Sequence, residues 1–264
     1  LNNTKQEMAD LLSEGDDRLA AIQDKLYAHD RWAVLCIFQA MDAGGKDGAI
    51  KHVFTGLNPQ GCHVTSFKAP STLELDHDFL WRHVVNLPAR GMIGIHNRSW
   101  YEEVLIARVH PEILGKQKLP PEMRERKRIF DERLEDIAAF ERYLARQGVL
   151  ILKFFLNIGK DEQRHRFLAR IEEPEKNWKF EAGDVAERRR WDAYQEAYEA
   201  AIRATAAPHA PWHVVPADSK PFARLAVSVA LSEALDGLDL RYPEVGAAER
   251  AALEEARKEL VAEA

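Results

Sequence analysis

Short apolar runs rich in β-branched and aromatic residues recur along the chain, and each follows turn-forming or polar residues. Five of these runs predict β-strands, namely Ala33–Phe38, Cys62–Phe67, Met92–His96, Val149–Leu156 and His213–Val215. Segments 50–57 and 79–87 repeat apolar residues at helix spacing instead. Because strands and helices alternate, we predict an α/β fold with a mostly parallel five-stranded sheet between two helical layers.

Helical patterns also occur inside and outside this alternation. Ser71 and Glu74 have the spacing of a capping box, which predicts a helical region leading into segment 79–87. Segment 5–29 precedes the first strand, and segments 222–235 and 247–261 follow the last one. These patterns predict extra N- and C-terminal helices around the sheet.

Two long polar stretches, 111–133 and 159–190, carry too few apolar residues to form a second core. We therefore predict one domain over residues 1–264. It has an N-terminal helical extension (1–30), a helical lid insertion at about 159–190 and C-terminal helices (219–264).

Composition narrows the classes of partner. With 46% hydrophobic residues, the chain of 264 residues can bury a full core. The formal net charge of −6 argues against a surface built to hold nucleic acid. Only two cysteines are present, which favours a reducing cytoplasm. Segment 1–30 is charged and no run reaches about 18 apolar residues, so we expect neither a signal peptide nor a membrane span.

A glycine-rich turn joins the first predicted strand to the next helical pattern, over the residues AVLCIFQAMDAGGKDG (33–48). Its glycines let successive backbone N–H groups turn inward on phosphate oxygens, and the helix presents its positive N-terminus. Lys46 adds a mobile cation. The predicted phosphate-binding residues of this loop are Ala43, Gly44, Gly45, Asp47 and Gly48.

The loop departs from the G-x-x-x-x-G-K-[ST] pattern at two positions. Ala40 stands where the first Gly belongs, and Asp47 replaces the Ser or Thr that usually holds magnesium. The glycines could therefore serve only a strand-to-helix turn. Asp42 favours a catalytic role for the loop over a purely structural turn. A carboxylate inside an anion-binding loop repels phosphate unless a metal ion or a proton donor offsets its charge. We expect Mg²⁺, with Asp42 as its ligand.

Residues 41–48 (MDAGGKDG) resemble polyphosphate kinase family 2, and the resemblance covers most of the chain. Four later segments resemble class III of that family, whose members act on nucleoside mono- and diphosphates: 66–71, 74–82, 96–102 and 109–111. Segments 166–170, 174–179 and 216–224 are also similar to family signatures. Several matches in the same order are more specific than any one of them.

The resemblance implies a P-loop kinase fold and Mg²⁺-dependent direct transfer between inorganic polyphosphate and AMP or ADP. Guanine nucleotides are a further option, and a homo-oligomer, dimer or tetramer, is expected. The resembling segments make Lys68, Arg82, Asn97 and Glu102 the expected nucleotide contacts. Asn97 stands where the family usually has Asp. Because Asn lacks the charge of a Walker-B aspartate, metal binding is left to Asp42.

Arg98 follows the third predicted strand, at the edge where open α/β sheets bind ligands. Its guanidinium could fork onto the transferring phosphate, which makes Arg98 a catalytic candidate with Asp42 and Lys46. An ion pair with Glu102 is the alternative. Lys153 interrupts the buried fourth strand and needs a partner, either a phosphate or a structural Asp or Glu.

Arg166 and Arg170 are four residues apart and share a helix face within the predicted lid. With Lys176 and Lys179 they are candidate phosphate-binding residues that close over the polyanion. The alternatives are a solvated helix face or ion pairs with Glu172 and Glu173. The aromatic residues Trp191, Tyr194 and Tyr198 are interpreted as helix packing.

Two rival functions share the phosphate loop. One is a nucleotide kinase with a nucleoside triphosphate donor, and the other is a non-catalytic module that senses nucleotide. The ten histidines show no zinc spacing, and no G-x-S-x-G sequence indicates hydrolase chemistry. A polyphosphate:nucleotide phosphotransferase is the function that the sequence favours.

Overall fold

The fold, described by a computed structural model over residues 5–263, is built on one five-stranded sheet. Its strands are β1 (Ala33–Gln39), β2 (Cys62–Ser66), β3 (Ile93–Asn97), β4 (Val149–Asn157) and β5 (Trp212–Pro216). They lie in the order β2-β3-β1-β4-β5, and every neighbouring pair is parallel. The five predicted strands are confirmed to within two residues at each end, and the sheet is entirely parallel.

Twelve α-helices connect and flank the described strands. They are α1 (Lys5–His29), α2 (Lys46–Val53), α3 (Thr72–Leu75), α4 (Trp81–Val84), α5 (Ile106–Val109), α6 (Pro121–Arg124), α7 (Ile129–Arg146), α8 (Lys160–Glu172), α9 (Gly183–Arg188), α10 (Trp191–Thr205), α11 (Lys220–Asp236) and α12 (Ala247–Ala262). Short 3-10 helices occupy Pro59–Gly61, Trp100–Glu103, Pro111–Lys116 and Pro174–Lys179.

The central strand β1 explains why helices flank the sheet. All seven of its residues are buried, and an all-parallel sheet needs cover on both faces to bury such a strand. The helix α11 packs against α1 and α2, while α7 packs against α10 and β4. One continuous apolar core results, and the carboxyl ends of the strands remain free to carry a site.

The capping box at Ser71 and Glu74 is present, but the helix behind it is short. The predicted helical region is divided into α3 and α4 by residues 76–80. The Asp78 carboxylate accepts the N–H of Leu80 at 2.9 Å, a side-chain turn that competes with continued helix. Apolar spacing alone could not reveal this interruption.

The last helix, α12, forms where the pattern predicted it but has no buried residue. Its apolar residues, including Leu253 and Leu260, are exposed. Within residues 5–263, no helix combines the length and apolar character that crossing a membrane requires.

A buried ion pair joins β4 to α7. The Lys153 ammonium is fully buried and donates to Glu141 Oε2 at 2.5 Å, to Tyr101 Oη at 3.1 Å and to the Thr205 carbonyl at 2.9 Å. All three of its N–H donors are occupied. This corrects the phosphate-binding assignment of Lys153, because the structural acid that was the alternative is its partner.

We expect Lys153→Met to destabilise the protein by about 3 kcal/mol, because it leaves the Glu141 carboxylate buried without its cation. Urea denaturation measures the change. The double variant Lys153→Met/Glu141→Leu removes both charges and should recover part of that loss. A single variant that costs under about 1 kcal/mol, or a double variant no more stable than the single one, would contradict the assignment.

Two histidines, His83 of α4 and His96 of β3, are buried on either side of Phe67. His83 and His96 both contact the ring of Phe67, and neither Nδ1 atom has a hydrogen-bond partner among the described residues. Burial lowers the pKa of His83 to about 2 and that of His96 to about 4. Both imidazoles are therefore neutral in the folded protein near pH 7.

Because the folded pKa values lie below the unfolded value of about 6.5, the unfolded chain binds more protons as the pH falls. Each histidine should therefore cost about 2 kcal/mol of unfolding free energy between pH 8 and pH 5. Urea denaturation across that range measures it. His96→Gln should flatten the profile, whereas the exposed control His209→Gln should not. Parallel profiles for His96→Gln and the parent would refute this account.

Candidate active site

The phosphate loop (residues 40–45) connects β1 to α2 at the carboxyl edge of the sheet. A side chain at Gly44 would lie 2.6 Å from the Ala40 Cβ and 2.8 Å from the Met41 carbonyl, so only glycine fits there. Gly45 has a φ of 96° and Ala43 a φ of 60°, both in the left-handed region. The glycines are therefore required for a tight, specific turn.

Lys46 is the first residue of α2 and reaches back across the loop. Its Nζ donates to the Ala40 carbonyl at 2.9 Å. Burial lowers the pKa of Lys46 and the nearby Arg98 lowers it further, while Glu102, Asp42 and Asp47 raise it. The ammonium therefore lies inside the loop among charges of both signs, where an anion would be a favourable neighbour.

Arg98 follows β3 with a φ of 67°, an uncommon conformation for a residue that is not glycine. Its N–H donates to the Phe38 carbonyl at 3.0 Å, which fixes it beside the end of β1. Its guanidinium is 3.8 Å from Asp42 Oδ1 and 3.5 Å from Glu102 Oε2. The alternative ion pair with Glu102 exists, but it is loose and leaves 38% of the side chain exposed.

Asp47 and Asn97 connect the loop to β3. The Asn97 Nδ2 donates to Asp47 Oδ1 at 2.6 Å. On the same edge, Gln39 Nε2 donates to Glu102 Oε1 at 2.9 Å. The structure thus brings Asp42, Lys46 and Arg98 together with Asp47, Asn97 and Glu102, although their ligands remain predictions.

Arg82 supports the loop that carries Lys68. It is buried, donates to the Lys68 carbonyl at 2.9 Å and lies 3.2 Å from Glu74. The Lys68 side chain is exposed. A nucleotide contact therefore remains a prediction for Lys68, whereas the contacts of Arg82 are with the protein.

Helix α8 packs directly against the phosphate loop. The buried Gln163 donates to the Asp42 carbonyl at 2.9 Å, and Arg166 Nη1 donates to the Ala43 carbonyl at 3.0 Å. Arg166 also binds Glu162 at 2.8 Å, the Ala217 carbonyl at 2.6 Å and the Asp218 carbonyl at 3.1 Å. Arg166 therefore anchors α8 to the loop, and phosphate binding by Arg166 stays a prediction.

Arg170 is also held by the protein. Its Nη1 lies 3.0 Å from Asp184 Oδ2 and 3.3 Å from the Lys179 carbonyl. The alternative partners Glu172 and Glu173 are wrong for both arginines. Arg166 pairs with Glu162, which lies one turn earlier on α8, and Arg170 pairs with Asp184 of α9.

The two predicted lysines of this segment have different neighbours. Lys176 pairs with Glu173, and Lys179 lies 5.0 Å from the ring of Trp178. The segment therefore supplies charge beside the loop, but most of its cations already have partners.

Several residues near the site had no signal in the sequence. Gln163 and Gln39 bind groups 121 and 63 residues away, which no periodic pattern could indicate. Tyr194 donates to Glu187 Oε2 at 2.7 Å, and His110 Nε2 is 2.7 Å from the same oxygen. Tyr198, by contrast, was interpreted from the sequence as a packing residue, and its ring stacks on Phe155 with 4.0 Å between the centroids.

Comparisons with known proteins agree with this geometry. The profile of the family Polyphosphate kinase 2 (PPK2) matches residues 2–242. An ADP-polyphosphate phosphotransferase of Rhodopseudomonas palustris is 51% identical over 258 residues, which cover 98% of this chain and 89% of that protein. An AMP/ADP-polyphosphate phosphotransferase of Meiothermus ruber is 47% identical over 240 residues, covering 91% and 85%.

A solved structure is also similar. The crystal structure of Polyphosphate Kinase 2 from Arthrobacter aurescens TC1 has a TM-score of 0.87 and 43% identity, over 96% of this chain and 88% of that one. Since the family profile, close relatives and a solved fold all agree along nearly the whole length, the chain belongs to the polyphosphate kinase 2 family.

Proposed function

We propose that this chain transfers phosphoryl groups between inorganic polyphosphate and the nucleotides AMP and ADP. The observation that carries the proposal is the meeting of Lys46, Arg98 and Asp42 around one glycine loop at the carboxyl edge of the sheet. The names of the Rhodopseudomonas and Meiothermus relatives support the two substrates.

The transfer needs no covalent intermediate with the protein. An oxygen of the nucleotide's terminal phosphate attacks the terminal phosphorus of polyphosphate, and the bond to the bridging oxygen breaks, leaving a chain one phosphate shorter. The attacking oxygen is already ionised, so alignment and charge stabilisation are the main tasks. Lys46 and Arg98 would stabilise the oxygens of the transferring group, and the loop amides would fix its position.

We further propose that Mg²⁺ acts at Asp42. Magnesium sites in kinases use one or two carboxylates and complete the shell with water and substrate phosphates. The Asp42 carboxylate fits because it is more than a third exposed and its ion pair with Arg98 is loose. Burial and the nearby Asp42 raise the pKa of Asp184, so negative charge is concentrated here. When bound, the ion supplies charge neutralisation on the phosphates.

No group of three His, Cys, Asp or Glu side chains within residues 5–263 forms a metal cage. The substrate phosphates would therefore supply the remaining ligands.

We also propose a homo-oligomer and a reducing, cytoplasmic location, the latter because Cys36 and Cys62 are both unpaired. Light scattering of the purified protein gives the oligomeric state.

Purified protein given ADP, long-chain polyphosphate and Mg²⁺, with no ATP added, should form ATP. Thin-layer chromatography follows the products, and AMP and GDP in place of ADP measure nucleotide preference. Phosphorylation of AMP only when ATP is the donor would favour an ordinary nucleotide kinase. Tight nucleotide binding without turnover would favour a sensing module.

The same assay tests the loop. Lys46→Ala should lower kcat by about a hundredfold to a thousandfold while the protein stays folded, because a missing cation destabilises the transition state. Lys51→Ala is the matched control, since Lys51 lies on the same helix but is exposed. Near-normal turnover in Lys46→Ala would remove the central claim.

Asp42→Asn should raise the Mg²⁺ concentration that gives half-maximal rate several-fold, with part of the rate returning at saturating metal, because the amide has lost the ligand charge. A magnesium titration of initial rates measures this. The exposed Asp161→Asn serves as control. An equal loss at every metal concentration would exclude Asp42 as a metal ligand and assign it an orienting role.

A further inference from the structure

Gln39 is the last residue of β1, just before the phosphate loop, and its side chain is fully buried. Its Nε2 donates to Glu102 Oε1 at 2.9 Å. Its Oε1 has no hydrogen-bond partner in the part of the chain that the structure describes. One half of a buried amide is thus used, and the other half is unpaired, beside the candidate active site.

The orientation of this amide is forced by its neighbour. A carboxylate only accepts hydrogen bonds, so the NH2 group of Gln39 must face Glu102 and the carbonyl must face away from it. An unpaired buried carbonyl costs free energy, and methionine, an apolar side chain of similar length, would avoid that cost. Packing alone therefore does not require glutamine here, and the bond to Glu102 is what the residue provides.

Glu102 divides its two oxygens between two partners. Oε1 accepts from Gln39, and Oε2 lies 3.5 Å from Arg98 Nη1. A charge-assisted pair between an arginine and a carboxylate normally closes to about 2.7–2.9 Å and often uses both oxygens. The contact with Arg98 is longer than that, while the other oxygen is held by Gln39.

Arg98 is coupled to two carboxylates without being closely paired with either. Asp42 Oδ1 lies 3.8 Å from its Nη2. Glu102 is the largest cause that raises the pKa of Arg98, and Asp42 raises it further, whereas burial lowers it. At these distances neither carboxylate closes a short hydrogen bond to the guanidinium, so its N–H groups can still meet an anion.

Since Gln39 has no exposed area, it cannot touch a substrate, and any effect on the reaction must pass through Glu102. We propose that Gln39 is a positioning residue: its amide holds Glu102 Oε1, keeps the carboxylate from closing onto Arg98, and leaves the guanidinium available to the transferring phosphate. Without that bond, Glu102 needs to approach by only about 0.7 Å to form the short pair. The inference rests on the proposed function and deepens it.

Gln39→Met removes the amide but keeps the length of the buried side chain. It should lower kcat about tenfold, because Arg98 is then paired with Glu102 and stabilises the transferring phosphate less. The decisive measurement is the same substitution in the Glu102→Gln background, where no carboxylate remains to close onto Arg98. There it should change kcat by less than about twofold. Equal losses in the two backgrounds, or no loss in Gln39→Met alone, would overturn the proposal.

The matched control is Gln23→Met. Gln23 is also a buried glutamine, but it belongs to α1 and donates to the Asn58 carbonyl at 2.9 Å. This substitution should lower the melting temperature, because a structural hydrogen bond is lost, and it should leave kcat unchanged. A tenfold loss of kcat in Gln23→Met would refute the specific role of Gln39, since any buried glutamine would then have the same effect.

Crystal structures of the parent and of Gln39→Met test the geometry without an activity assay. The shortest distance between the Arg98 and Glu102 side chains should fall from 3.5 Å to about 2.8 Å. An unchanged distance would overturn the proposal even if kcat fell. A parent protein that does not turn over polyphosphate refutes the proposed function, yet this distance still decides whether Gln39 holds Glu102 away from Arg98.

Circular dichroism shows whether the variant folds. If Gln39→Met does not fold, Gln39→Leu takes its place in both backgrounds, with the same expected change in kcat. Loss of folding in both variants would also count against the proposal, because Gln39 would then be required by the core and not by the site.

Discussion

The site depends on the absence of a side chain at Gly44. The chain leaves β1, a strand buried on both faces, and must reverse within six residues to start α2. A Cβ at position 44 would collide with Ala40 and the Met41 carbonyl, so any other residue would push the loop away from the strand. That turn places Lys46 over its own loop and brings Asp42 within ion-pair range of Arg98.

The loop is held from outside as well as by its own conformation. Gln163 and Arg166 donate to the carbonyl oxygens of Asp42 and Ala43, so these two C=O groups point to α8. Within the loop, the Gly44 N–H donates to the Met41 carbonyl at 3.0 Å. Because Arg166 also binds the carbonyls of Ala217 and Asp218, the helix α8 is joined to the segment that leads into α11. The helix α8 therefore belongs to the frame of the site as it stands in this structure.

Charge is distributed locally, against the acidic character of the whole chain. The net charge of −6 keeps general anion binding weak. Around the loop, by contrast, cations come from several elements, and carboxylates lie among them on both sides. An anion would therefore be bound at this local site and not by the surface as a whole.

The sequence alone determined the local features of this protein. Apolar periodicity predicted all five strands, and the glycines with Lys46 predicted the phosphate loop, because both depend on the conformational needs of neighbouring residues. The partners of charged side chains were decided only in the tertiary structure. Lys153 meets Glu141, and Arg166 meets carbonyls 51 and 123 residues away. An ion pair forms between groups that the packing of distant elements brings together, and residue spacing carries no record of that packing.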